Sequence, residues 1–182
     1  MLIELPNGTA IEPGTFTALI APPAIAIAMI NGTTDLRRYL FLYVSGNFSR
    51  ILTHIDRNAA AFDTRRAFTA HQLVTILNEA EHTVLFVEHD PTLFDGAWNM
   101  VAPIAQALEQ VGCGATVILY APSADRSFSL IARNARNVIC FLQEARPSGL
   151  AGSARAGKVL QTVLETGGIE KSGVTGLQSE SC

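Results

Sequence analysis

Short runs of apolar residues recur along this chain of 182 residues, and stretches with helical spacing lie between them. Thr15 to Ile20, Tyr39 to Ser45 (YLFLYVS), Thr83 to Val87 (TVLFV), ATVILYAP and VICFL are the runs. A strand that alternates apolar and polar residues covers one face of a sheet. One that is apolar throughout belongs where both faces are covered, as in a parallel sheet flanked by helices. Units of this kind repeated along a chain imply an α/β three-layer sandwich with a mostly parallel central sheet.

The intervening segments carry start and stop signals. Ser49 is placed to cap RILTHIDRNAAAF, whose Ile51, Leu52 and Ile55 recur at helical spacing, and Thr69 or His71 opens QLVTILNEAE. A helix over about Met100 to Val111 must keep Pro103 in its first turn. SFSLIARNARN reads as a short helix before VICFL. Beyond it, Ala145 to Gly157 is a loop rich in Pro, Gly and Ser. Lys158 to Glu165 alternates and is expected to pair back on VICFL as a closing antiparallel hairpin. Residues 1–166 form one expected domain, and the polar, glycine-rich 167–182 an expected disordered tail.

Composition excludes several classes. Apolar content is 48% against 16% charged, so a membrane span has to be considered. The longest uncharged run, Pro13 to Thr34, is broken by Pro22-Pro23 and ends in Asn31-Gly32-Thr33-Thr34, too short for the roughly 20 residues a span needs. The chain opens with Glu4 and Glu12 rather than a basic segment, which argues against a signal peptide. A net charge of −3 gives no general attraction to phosphate polymers. Three cysteines, Cys113, Cys140 and Cys182, lack any CxxC and imply neither a disulfide framework nor zinc; the expected compartment is cytoplasmic.

The first junction is the most informative. LIAPPAIAIAMI, Leu19 to Ile30, stands where an α/β nucleotide-binding domain keeps its phosphate loop. The order of parts over about Glu12 to Glu165 resembles the RecA-like ATPase core with its P-loop NTPase fold, in particular the KaiC-like and archaeal recombinase branch. The match consists of a strand and loop position, a strand ending YVS, a carboxylate-bearing strand ending Val87-Glu88-His89-Asp90, and the closing hairpin. On that family's GxxGxGK[ST] loop fall Ala21, Pro22, Pro23, Ala24, Ile25, Ala26, Ile27 and Ala28. Every glycine is alanine, the lysine is Ile27, and the magnesium-binding hydroxyl is Ala28.

The physical consequence is loss of triphosphate affinity. A Cβ forced into the left-handed conformations of such a loop costs roughly 1–2 kcal/mol per residue. An absent lysine removes an interaction of about 4 kcal/mol at an effective dielectric of about 20 and a separation of about 4 Å. The catalytic glutamate that the resemblance places just past the YVS strand is also missing, since Ser45-Gly46-Asn47 stand there. Glu88 and Asp90 remain as Walker B-like carboxylates. An unrelated reading makes the same stretch a buried strand and core helix with Pro22-Pro23 as its first turn. In either case Ile25, Ile27, Met29 and Ile30 are expected to close the space of a nucleotide, and no cofactor or metal is expected.

Other residues invite functional readings. Arg126, Arg133 and Arg136 lie in a segment that resembles the DNA-contacting region of recombinases, with Arg133 and Arg136 expected on one helix face. Phe94, Trp98 and Met100 are candidate anchors for a protein interface. Glu88, His89 and Asp90 sit where a general base would be built, but His54, His71 and His82 supply no ligand spacing, and Ser123 and Ser127 lack an evident base. The expected function is that of a catalytically inactive RecA-like pseudo-ATPase, not an enzyme. It acts through contacts with itself or another protein subunit, as a structural or regulatory component. The alternatives are a nucleic-acid-binding recombination or repair accessory and an atypical nucleotide-dependent enzyme.

Overall fold

The computed structural model describes residues 3–6, 8–33, 38–56, 62–142 and 160–165. Along the chain these form strands β1 (Ile3–Glu4), β2 (Ala10–Ile11) and β3 (Phe16–Ile20), helix α1 (Pro23–Gly32), then β4 (Phe41–Ser45) and β5 (Phe62–Arg66). Helix α2 (Ala70–Asn78), β6 (Val84–Glu88), α3 (Val101–Gly112), β7 (Thr116–Ala121), α4 (Arg126–Ile131), β8 (Asn137–Leu142) and β9 (Leu160–Glu165) follow. β1 and β2 make a small antiparallel pair. The rest join in a seven-stranded sheet of order β5-β4-β6-β7-β3-β8-β9, parallel except for the antiparallel β8–β9 pair. The closing hairpin therefore forms as its alternating sequence implies, and the intervening loop and the tail lie outside the described residues.

Each face of the sheet has its own core. On one, Ala18, Leu42, Val44, Leu85, Val87, Val117 and Leu119 pack against α2, α3 and α4 through Leu73, Leu77, Ile104, Leu108, Phe128 and Ile131. On the other, Leu19, Phe41, Tyr43, Phe86, Ile118 and Tyr120 pack against Met29 and Ile30 of α1, against Ile51 and Ile55, and against Ile3, Leu5 and Ile11 from the β1–β2 pair. This double cover explains why the strands read as unbroken apolar runs. The second face also carries an aromatic stripe across four neighbouring strands. Phe62 stacks on Phe41 at 5.0 Å, Tyr43 on Phe86 at 5.4 Å, and Phe86 on Tyr120 at 5.5 Å between ring centroids.

Local chemistry sets the element ends. Thr69, not His71, opens α2: its hydroxyl accepts from the Gln72 amide at 3.2 Å while the Gln72 side chain accepts from the Phe68 amide at 2.8 Å. Pro103 lies in the first turn of α3, where its missing N–H costs nothing. Over its described residues one expected helix does not form. Residues 50–56 hold a 3₁₀ turn, Leu52–His54, residues 57–61 lie outside the described ones, and Phe62 opens a strand, β5, that the apolar pattern does not announce. Ser49 does cap this turn, accepting from the Leu52 amide at 3.0 Å, but the Asp56 amide is taken by Asn31 Oδ1 at 2.9 Å instead of continuing a helical ladder. β5 escapes a hydrophobicity reading because it is an edge strand, with Asp63 to Arg66 all exposed.

Candidate functional site

The carboxyl ends of β3, β4, β6 and β7 lie along one edge of the sheet, where open α/β folds build their sites. At the first of these ends the connection is Ala21 and Pro22 alone. β3 stops at Ile20, the Ala21 amide donates to the Ala121 carbonyl at 3.1 Å, and Pro22 in an extended conformation (φ −54°, ψ 145°) leads into α1, which begins at Pro23. Six of the eight positions that match the phosphate loop, Pro23 to Ala28, are therefore helical.

This helix start offers little to an anion. A helix N-terminus binds phosphate through amides left free in its first turn. Here Pro22 and Pro23 have no N–H, and the Ile25 and Ala26 amides turn back to the Pro22 carbonyl at 2.9 and 3.4 Å. Pro23, Ala24 and Ala28 are exposed, and Ile25 and Ile27 are half-buried. Met29 and Ile30 are buried in the layer between α1 and the sheet. The aliphatic side chains thus pack beneath the helix, and what faces outward at its start is proline and alanine.

Two strands away the chemistry is the reverse. Glu88, the last residue of β6, is 4% exposed and is ringed by donors from the β4 side. Its Oε2 accepts from the Tyr43 hydroxyl and from Ser49 Oγ at 2.5 Å, and its Oε1 accepts from the Arg50 amide at 2.8 Å. Burial and the bond to Glu88 keep the Tyr43 hydroxyl protonated far above the usual tyrosine range. Tyr120 is pushed up to about 12 by burial and then by the Glu88 charge.

Asp90 makes a second knot. Its Oδ2 accepts from the Asn47 and Phe48 amides at 2.8 and 3.4 Å, and its Oδ1 from the Thr92 amide and hydroxyl at 3.0 and 2.7 Å. Gly46 permits this approach, because a Cβ there would collide with both Cβ and Oδ2 of Asp90. The two Walker B-like carboxylates therefore hold the segment after β4, the place where the resemblance puts a catalytic glutamate.

Between them, His89 points to the opposite face. Its side chain is 4% exposed, stacks on Phe94 at 5.7 Å and meets Phe128 edge-on at 5.4 Å. Its Nε2 lies 2.8 Å from Asp125 Oδ2 and 3.3 Å from Ser127 Oγ, while that hydroxyl donates to Asp125 Oδ1 at 2.7 Å. Burial lowers the His89 pKa against the pull of Asp125. Burial would raise the Asp125 carboxyl, but the Phe128 amide, the Ser127 hydroxyl and His89 outweigh it and hold it below the usual range. Ser127 thus has a histidine beside it after all, 38 residues away in sequence. It is not a nucleophile: serine and aspartate approach the same ring nitrogen, and a relay needs them on opposite ones. The cluster clamps the end of β6 to the start of α4. A cavity of about 10 Å³ lies among Ser45, Gly46, His89, Asp90 and Phe94, at most the size of one water. Among the described residues no group of three His, Cys, Asp or Glu is arranged to hold a metal ion.

The remaining candidates separate. Phe94 and Met100 are 5% and 8% exposed and belong to the α2–α4 core, so they are not interface anchors; Trp98 stays 44% exposed, with the Arg126 guanidinium 4.9 Å above its ring. Arg126 starts α4 on the carboxyl edge of the sheet. Arg133 lies in the 3₁₀ turn Ala132–Asn134, and Arg136 lies beyond it, its amide bonded to the Phe16 carbonyl at the amino edge. Arg133 and Arg136 share no helix face; they flank a groove of about 440 Å³, and Arg136 pairs with Glu12 at 3.3 Å. The three arginines do not form one patch. No helix among the described residues is long and apolar enough to cross a membrane.

No family model matches the chain. An uncharacterized protein of Archaeoglobus fulgidus is 35% identical over 137 residues, which cover 75% of this chain and 68% of that protein. The chain belongs to the same family. Among solved structures, it is similar to the flagellar accessory protein FlaH from Methanocaldococcus jannaschii, with a TM-score of 0.55 and 12% identity, covering 90% of this chain and 87% of that one. It is also similar to a KaiC-like protein from Pyrococcus horikoshii, with a TM-score of 0.52 and 14% identity, covering 86% and 80%. The fold is RecA-like, as the order of parts along the sequence implies.

Proposed function

We propose that this chain is a RecA-like domain without nucleotide chemistry, acting as a structural or regulatory subunit through protein contacts. The observation that carries the reading is the condition of the two surviving carboxylates. Glu88 and Asp90 are each engaged by donors from the segment after β4, so neither is set to take a magnesium ion without first releasing that segment. The α1 start supports it, since its first turn and the residue before it hold two prolines and no lysine or hydroxyl. The separation of Arg126 from Arg133 and Arg136 leaves the nucleic-acid alternative without one patch built from these three arginines.

Fluorescent ATP and ADP analogues with magnesium, and a labelled single-stranded oligonucleotide, test the reading by anisotropy. No change is expected with any of them at tens of micromolar protein. Saturable nucleotide binding would overturn it in favour of the atypical enzyme, and salt-dependent oligonucleotide binding in favour of the nucleic-acid accessory.

A further inference from the structure

The outer strand of the sheet is complementary to itself. Among the described residues β5 is the edge strand beside β4, and its sequence is Phe62-Asp63-Thr64-Arg65-Arg66. An exposed edge offers unpaired backbone donors and acceptors to another strand, and proteins commonly protect such edges with charges, lysine above all, that repel a like strand. β5 instead carries opposite signs at equal distances from its centre. If a second copy pairs antiparallel with Thr64 on the two-fold axis, Asp63 stands opposite Arg65 of the other copy, twice by symmetry, and Phe62 opposite Arg66. Directly opposed charges of unlike sign are the favourable cross-strand pair, and an arginine over an aromatic ring is the next.

The surroundings fit that arrangement. Asp63 and Arg65 share the α2 face of the sheet, where both are exposed, and their contacts within the chain are surface pairs: Asp63 with His82 at 3.0 Å and Arg65 with Glu79 at 3.4 Å. A carboxylate can accept from a second partner, and a guanidinium can donate to one, without breaking these. On the opposite face Phe62 ends the aromatic stripe, half-buried, with one side stacked on Phe41. We propose that two copies of this chain associate through antiparallel pairing of β5 with its counterpart, centred on Thr64, joining two seven-stranded sheets into one. The proposal deepens the protein-contact reading by naming the partner. It requires no nucleotide, so a negative result here leaves the nucleotide experiment standing, and the reverse is also true.

Charge exchange tests the register. D63R gives the strand arginine at both positions, and R65D gives it aspartate at both, so each variant alone opposes like charges. An antiparallel pair of one with the other is fully complementary again. Sedimentation equilibrium of the wild-type chain should show a reversible dimer of the 19.5 kDa protomer. Each variant should associate about tenfold or more weakly with its circular dichroism unchanged, and an equimolar mixture should regain the dimer. As a second measurement, T64C places two thiols across the axis and should oxidise to a covalent dimer beyond the level given by the native cysteines. Three results would overturn the proposal: a wild-type chain that stays monomeric at its highest soluble concentration, a dimer indifferent to both charge variants, or a mixture that stays as weak as its components. Should both charge variants fail to fold, the absence of the T64C cross-link decides against it.

Discussion

The end of β3 and the ends of β4 and β6 lie on one edge of one sheet, yet their chemistry is opposite. At β3 there is little polar chemistry: Ala21 and Pro22 lead into α1, whose start is Pro23, Ala24, half-buried Ile25, Ala26, half-buried Ile27 and Ala28, and two of its first amides are bonded to Pro22. At β4 and β6 the polar groups remain, buried and engaged, with donors from Tyr43, Asn47, Phe48, Ser49 and Arg50 converging on Glu88 and Asp90. An apolar helix start holds nothing in place by hydrogen bonds. Engaged carboxylates tie the segment after β4 to the end of β6 and stabilise the fold.

That difference predicts unequal sensitivity to mutation. The largest effect is expected for Glu88→Leu, which strands the Tyr43 hydroxyl and the Arg50 amide in a buried setting. A loss of about 3–5 kcal/mol in urea unfolding is expected, whereas Ile27→Ala, at the half-buried α1 start, should cost well under half as much. Equal losses would erase the distinction between the two ends. Next comes Gly46→Ala, whose new Cβ would collide with Asp90. It should destabilise by about 2 kcal/mol, and Asp90→Asn should do so by less, since the amide retains one acceptor.

The His89 clamp sharpens the comparison through pH. His89 is neutral in the fold and its pKa is lowered from 6.5, so the unfolded chain takes up its proton first; stability should begin to fall as pH drops below about 6.5. Asp125 is held below its ordinary 3.8, so its contribution is present above that value and is lost as pH falls through its folded pKa. In a series of melting temperatures, His89→Gln should flatten the upper limb and change the lower one less, since the Phe128 amide and the Ser127 hydroxyl still hold Asp125. An unchanged upper limb would assign the dependence to another group. The smallest effect is expected for grafting: Ala24→Gly, Ile27→Lys and Ala28→Thr together should restore no magnesium-dependent nucleotide binding, because Glu88 and Asp90 stay engaged.

How much of this the sequence discloses depends on burial. Strands covered on both faces are apolar throughout and can be read directly, as TVLFV and ATVILYAP show. β5 is exposed from Asp63 onward, so FDTRR carries no such signal, and where a helix is expected from Ser49 the Asp56 amide is bonded to Asn31, 25 residues earlier, a partner no local rule supplies. The carboxylates of VEHD are legible from their place at a strand end. Their donors are not, since Tyr43 lies 45 residues away and no local rule joins them. The same holds for the His89–Asp125 pair, although Asp125 two residues before Ser127 at a helix start is a recognisable cap. Phe94, Trp98 and Met100 look alike in sequence. Only packing distinguishes the two core residues from the exposed one.

The most direct test of the proposal that this domain lacks nucleotide chemistry is isothermal calorimetry of the wild-type chain with ATP and magnesium at physiological salt. No heat beyond dilution is expected up to millimolar nucleotide. A saturable, magnesium-dependent isotherm with micromolar affinity would mean that the segment after β4 releases its carboxylates, and would contradict the proposed absence of nucleotide chemistry.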